Sequence, residues 1–214
     1  MVARKTDLDG LVHLLSTVAD ARCIAGIAGA PGSGKSTIAA QLEGRLNAMA
    51  AGTAAVLPMD GFHYDDRLLD ALGRRARKGA PDTFDVGGLH HMLTRLKANN
   101  EEDVAVPVFD RDIEIARAGA RLIPRHVRVV IVEGNYLLLR QEPWASLRPL
   151  FHITVMVEAT IDTLRQRLIE RWQRYNLPAH DIHRKVEEND LPNGRLVIAE
   201  SAGADLCFAS DFHD

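Results

Sequence analysis

Eight residues, Gly29-Ala-Pro-Gly-Ser-Gly-Lys-Ser36, hold three glycines, a lysine and two hydroxyls. A loop that wraps a phosphate must turn successive N–H groups inward, through backbone angles that glycine adopts cheaply. The spacing G-x-x-x-x-G-K-[ST] is that of a triphosphate-binding loop. Gly34 opens a helix, whose free N–H groups and dipole favour an anion. Lys35 can reach the β- and γ-phosphates, and the Ser36 hydroxyl can bind Mg²⁺. The expected nucleotide contacts are Gly29, Ala30, Pro31, Gly32, Ser33, Gly34, Lys35, Ser36 and Thr37, with ATP and Mg²⁺ as cofactors.

Phosphoryl transfer to a hydroxyl also needs a carboxylate to take the proton and oxygen ligands for the metal. Three acidic residues sit where apolar runs end: Asp60 after AAVLPM, Glu133 after VRVVIV and Asp110 after VPVF. Asp60 fits the base; Ser36, Asp60 and Glu133 fit the metal or its waters. His63 and Tyr64 follow Asp60, Tyr136 follows Glu133 and Arg111 follows Asp110, so each is a candidate acceptor contact. Arg167, Arg171 and Arg174 fall at i, i+4 and i+7 on one helix face. They could clamp the transferring phosphoryl group, with Arg171 placed among the catalytic candidates beside Lys35 and Asp60. A solvated face with Glu170 paired to Arg174 is the alternative. A second basic run, Arg74 to Lys78, reads as a solvated loop or an anion site.

These residues need a frame. Apolar runs at 22–28, 54–59, 127–132, 151–157 and 205–208 read as strands. Helical spacing marks 7–21, 34–50, 88–98, 159–175, 179–189 and 194–201. Val104–Phe109, broken by Pro107, reads as an edge strand. Strands alternating with helices predict an α/β, three-layer fold: a five-stranded parallel sheet with helices on both faces. A small acceptor-side insertion is expected at about 60–125 and a lid at about 165–192, bracketed by Pro178 and Pro192, within one domain.

Composition narrows the setting. A net charge of −3 speaks against a nucleic-acid or membrane surface as the main partner. Cys23 and Cys207 lie in apolar runs and read as free thiols rather than a disulfide. The first residues lack the apolar core of a signal peptide and no apolar run reaches membrane-spanning length, so a cytoplasmic location is expected. Histidine pairs at 90/91 and 180/183 lack a third ligand and read as surface. There is no Asn-Lys-x-Asp motif of a guanine switch and no Leu-Ser-Gly-Gly signature of a transporter ATPase. An accessory ATPase without an acceptor is the competing class.

The ordered set GIAGAPGSGKST, DGFHYDD, KGAPDTFD, VPVFDR and VIVEGNYLLL resembles the phosphoribulokinase/uridine kinase/pantothenate kinase superfamily of P-loop small-molecule kinases, over about 22–208. By that resemblance Asp60 is the acceptor-activating aspartate, Ser36 the Mg²⁺ ligand and Glu133 the acidic residue after the third strand. Pro81, Phe84 and Asp85, with VPVFDR, match the part that closes over the acceptor. Two departures stand out. Uridine kinases carry Asn-Phe-Asp-His-Pro where this chain has Arg77 to Pro81, so Gly79 replaces the ribose-reading aspartate. They also carry Tyr-Asp-Phe where it has Phe109-Asp110-Arg111, and a histidine shortly after is missing. In detail the chain is most similar to compact bacterial fructose-transport-associated, sugar kinase-like members. The resemblance implies ATP and a small hydroxyl-bearing metabolite as partners, with a sugar, a nucleoside or pantothenate as acceptor, and assembly as a homodimer.

Overall fold

The run Cys23–Gly29 is buried at every position, which a strand requires when helices cover both faces of its sheet. The computed structural model describes residues 3–17 and 21–209 and builds the following elements. In chain order they are β1 (Arg4–Thr6), α1 (Leu8–Ser16), β2 (Cys23–Gly29), α2 (Lys35–Met49), β3 (Ala54–Pro58), α3 (Asp66–Ala71), α4 (Val86–Ala98), β4 (Asp103–Asp110) and β5 (Ile115–Pro124). Then come β6 (Val129–Gly134), β7 (Ile153–Glu158), α5 (Ile161–Arg174), α6 (Ala179–Lys185), α7 (Leu191–Glu200) and β8 (Leu206–Ala209). Six strands form one parallel sheet in the order β1-β8-β7-β2-β6-β3, and β4 and β5 form a separate antiparallel pair.

Period-two alternation splits the core across the sheet. Ile24, Ala28, Val130 and Val132 face a layer that includes Leu89 and Leu93 of α4 and Leu164 and Leu168 of α5. Ala25, Ile27, Val129 and Ile131 face the other layer, with Leu11 and Leu15 of α1 and Ile38, Leu42 and Leu46 of α2. Each such fully buried aliphatic contributes about 1.5–3 kcal/mol. Met49, on the same sequence stripe, is 64% exposed because α2 ends there.

The sheet has one strand more than the five expected. Arg4–Thr6 adds to its edge by pairing with β8; three polar, mostly exposed residues carry no apolar pattern. Val104–Phe109 is no edge of the main sheet. It pairs with Ile115–Pro124, whose outward residues on both faces hide it from periodicity, and Pro107 sits at a bulge between Val106 and Val108. Residues 60–86, expected to be irregular, include α3 and several single 3₁₀ turns. The segment after α6 continues as a π-helical stretch, Val186–Asp190, straight into α7. The helix expected over 7–21 ends at Ser16, and its Val18 lies outside the described residues.

Cys23 is buried and Cys207 half-buried; both are free, and burial, with Glu158 beside Cys207, raises their thiol pKa values, that of Cys207 to about 11. Among the described residues no helix is long and apolar enough to cross a membrane, and no group of three or more His, Cys, Asp or Glu is placed to hold a metal ion.

Candidate active site

The carboxyl ends of β2, β3 and β6 meet where the strand order reverses, the place where open parallel sheets bind ligands. The chain leaves β2 into the glycine loop and enters α2 at Lys35. Gly32 and Gly34 stand at φ +81° and +93°, angles that side chains rarely adopt, so the loop folds back on itself as an anion cradle requires. Leu168 of α5 closes on Gly32, where a methyl group would come within 3.1 Å of its Cγ.

An open cavity of about 840 Å³ lies over this loop. Gly32 through Ile38 form its floor, and Arg167, Arg171 and Arg174 of α5 line the side opposite Asp7 and Arg45. All three helix arginines therefore face the space above the loop. Arg167 also donates to the Ser33 carbonyl at 3.3 Å. Glu170 accepts from Gln166 at 3.1 Å.

Three charged groups converge beside the loop. Ser36 Oγ donates to Glu133 Oε2 at 2.9 Å. Glu133 is a buried residue within β6, opposite Pro58 of β3 and Ile27 of β2. Burial raises its pKa, although Lys35 and Ser36 act in the other direction. Burial likewise lowers that of Lys35, against the pull of Glu133 and Asp60. Burial thus works against both charges, and each charge would be favoured beside a ligand of opposite sign: a polyphosphate for Lys35, a divalent cation for Glu133. The donors at this point are hydroxyl and carboxylate oxygens, the set that Mg²⁺ takes, so Ser36 and Glu133 fit that ion.

Asp60 lies one turn beyond β3, in the 3₁₀ turn Met59–Phe62. Burial alone would raise its pKa, but His63, Arg111, Lys35 and Arg171 together hold it below the ordinary carboxylate value. It is therefore ionised and able to accept a proton. Arg111 Nη2 donates to Asp60 Oδ2 at 2.7 Å from the tip of the β4–β5 hairpin. Gly61 permits this crossing: a methyl group there would sit 2.7 Å from the Pro107 carbonyl oxygen.

The other acceptor-side residues divide into two groups. His63 receives support from the Asp60 carbonyl at 2.7 Å and packs between Phe84 and Phe109, at ring-centroid distances of 4.1 and 4.7 Å. Phe84 joins Tyr136 and Trp144 in a buried aromatic cluster, and the Tyr136 hydroxyl donates to the Gly79 carbonyl at 2.6 Å. Phe84 and Tyr136 thus form the floor rather than the open wall. Tyr64 is tied by its backbone N–H to Thr83. Asp110 is turned away: its carboxylate accepts from Arg117 at 3.0 Å and from the Asp112 amide.

The basic run 74–78 is consumed by ion pairs. Arg74 and Arg77 meet Asp82, and Arg75 and Lys78 meet Asp66. Lys78, 9% exposed, also donates to the Glu114 carbonyl at 2.5 Å and lies 5.3 Å from the Phe109 ring.

Residues 189 and 190 fall within the expected lid at about 165–192 but were not singled out. Asp190 ends the π-helical stretch and accepts from Trp172 Nε1 at 2.7 Å; burial raises its pKa, and the charges of Arg171 and Lys35 are felt there. Asn189 donates to the Lys78 carbonyl at 3.2 Å. Only the carboxylate in EENDLPNG, just before a helix-starting Leu-Pro, signals this in the sequence. The π winding that aims it does not show there.

Comparison with known proteins agrees with this geometry. The uncharacterized Escherichia coli K12 protein YggC is 33% identical over 206 residues, covering 92% of this chain and 83% of that protein. A Schizosaccharomyces pombe protein provisionally named uridine kinase C227.14 is 31% identical over 192 residues, covering 86% and 82%. The crystal structure of a Silicibacter sp. TM1040 protein, provisionally titled a fructose transport system kinase, superposes with a TM-score of 0.87 at 38% identity, covering 94% of this chain and 98% of that one. The sequence profile of the Phosphoribulokinase / Uridine kinase family matches residues 24–175, from the first strand of the cleft through the arginine helix, and the chain belongs to that family of P-loop kinases.

Proposed function

We propose that this protein transfers the γ-phosphoryl group of ATP to a hydroxyl of a small metabolite, with Asp60 as the base. The observation that carries the reading is the place of Asp60, in the turn just beyond β3, bonded by Arg111, which together with Lys35 and Arg171 lines the cavity over the phosphate loop. The loop amides and Lys35 hold the triphosphate. Arg167, Arg171 and Arg174 draw over its terminal oxygens, where charge spreads in the transition state. Ser36 and Glu133, with Asp60 near, would hold Mg²⁺, which would supply positive charge against the phosphate oxygens. Asp60 takes the acceptor proton as the hydroxyl oxygen attacks phosphorus.

For the acceptor we favour a sugar, such as fructose. The support is the name given to the 38% identical structural neighbour, which the chain matches along almost its whole length. A nucleoside fits poorly. Gly79 stands where uridine kinases carry the ribose-reading aspartate, and its φ of +98° is an angle that an aspartate would adopt only with strain. His63, Tyr64 and Arg111 border the acceptor above the Phe84–Tyr136 floor, with Asp110 fixing the hairpin that carries Arg111. Location in the cytoplasm, a single domain and assembly as a homodimer accompany this reading as proposals.

The test is a thermal-shift screen of sugars, polyols, pantothenate and nucleosides with a non-hydrolysable ATP analogue, followed by detection of phosphorylated product with Mg-ATP. We expect product from a sugar or polyol and none with Asp60→Asn. ATP turnover stimulated by a protein, with no response to any metabolite, would instead make this an accessory ATPase.

A further inference from the structure

Lys35, Ser36 and Arg171 line the cavity above the phosphate loop, but Asp60 does not; Arg111 lines it instead. The guanidinium donates to Asp60 Oδ2 at 2.7 Å, so of this pair it is the guanidinium that borders the cavity over the phosphate loop. The hairpin that carries it is fixed at both sides. Lys78 Nζ holds the Glu114 carbonyl at 2.5 Å, and the Pro107 carbonyl rests on Gly61. The neighbouring carboxylate, Asp110, is engaged by Arg117 and does not compete for Arg111. The Arg111 side chain itself is 43% exposed, so it can swing aside while its backbone stays in place.

We infer that Arg111 is a gate on the base. With no acceptor present it covers the Asp60 oxygen that must receive a proton, and an arriving acceptor hydroxyl displaces it. The inference rests on the reading of Asp60 as the base. The step that the gate suppresses is hydrolysis: water oxygen bonds to the γ-phosphorus, the bond to the bridging oxygen breaks, ADP leaves, and the water proton passes to Asp60. Water competes with every acceptor in an open cleft. A carboxylate oxygen already bound to a guanidinium is blocked, so water finds no proton acceptor there. Acceptor binding, by contrast, can exchange this one ion pair for contacts of its own, since its Arg111 side reaches solvent.

The experiment measures acceptor-free ATP hydrolysis in wild type, Arg111→Ala, Arg111→Gln, Arg111→Lys, Asp60→Asn and the double variant Arg111→Ala/Asp60→Asn. Thermal melts and binding of a non-hydrolysable ATP analogue are recorded for each. Arg111→Ala and Arg111→Gln should raise hydrolysis about tenfold or more, a part of the 10²–10⁴-fold that a positioned base contributes. Arg111→Lys, which keeps the charge but not the planar fork, should fall between them and wild type. The double variant should return to the low rate of Asp60→Asn. Hydrolysis at or below the wild-type rate in both Arg111→Ala and Arg111→Gln, with analogue binding intact, overturns the gate. Loss of analogue binding in both also overturns it, because Arg111 would then be a nucleotide contact. If the underlying reading fails instead, Asp60→Asn phosphorylates the acceptor found in the metabolite screen as fast as wild type; if the gate alone fails, Asp60→Asn still loses that product while neither Arg111→Ala nor Arg111→Gln raises hydrolysis.

Discussion

The turn of the phosphate loop is closed by neighbours in sequence, with Arg167 and Leu168 reaching it from α5, whereas the wall facing it is stitched throughout from residues far apart. Ser33 N bonds Ala30 O and Ile38 N bonds Gly34 O, within a few residues. Across the cleft, Lys78 reaches Glu114, Arg111 reaches Asp60, Tyr136 reaches Gly79 and Asn189 reaches Lys78, over separations of 36, 51, 57 and 111 residues. A local loop keeps its shape wherever its strand and helix are placed. A stitched wall changes whenever one partner changes, so it is the part of the cleft free to set acceptor choice.

Substitutions on the two sides should therefore separate nucleotide binding from transfer. Asp60→Asn should lower phosphoryl transfer by about 10²–10⁴-fold while a non-hydrolysable ATP analogue binds as in wild type. Rapid-quench product assays beside calorimetric titration check this. Next in size is Lys35→Ala, which should cost about 10²–10³-fold in rate and, unlike Asp60→Asn, weaken the analogue as well. Equal analogue affinity in both variants would erase the division between the two sides.

Smaller effects sharpen it. Gly32→Ala puts a methyl group 3.1 Å from Leu168 Cγ at a backbone angle of +81°, and about 1–3 kcal/mol of strain should appear as weaker analogue binding. Gly79→Ala meets strain from φ +98° with only Asn189 Nδ2 near, at 3.9 Å, and should leave analogue affinity unchanged while lowering the melting temperature. Tyr136→Phe, smallest of all, removes the hydroxyl that satisfies the Gly79 carbonyl and should cost about 0.5–1.5 kcal/mol in urea unfolding, with nucleotide binding intact.

Much of the frame was legible. The five expected strands are all present in the sheet, and the arginines spaced at 167, 171 and 174 do share the cavity wall. Buried runs and helical stripes record burial directly, so residues such as Val130 and Leu168 announce their environment. Strand β1 and the second strand of the hairpin left no such record, being largely exposed. The pairing of Arg111 with Asp60 was equally hidden, since a salt bridge between two loops has no period. Asp110 and Arg111, adjacent in sequence, looked alike as acceptor contacts, yet their side chains serve opposite sides of the hairpin.

The sequence by itself determined the anion cradle, the parallel sheet behind it and the presence of carboxylates at the strand ends, because local backbone angles and apolar periodicity are properties of contiguous residues. Only the tertiary structure decided which carboxylate is masked, which basic residues are spent on ion pairs and which indole Asp190 accepts from. Those outcomes depend on distances between segments tens of residues apart, and in a half-buried site such distances decide which charges are paired and which remain free for a ligand.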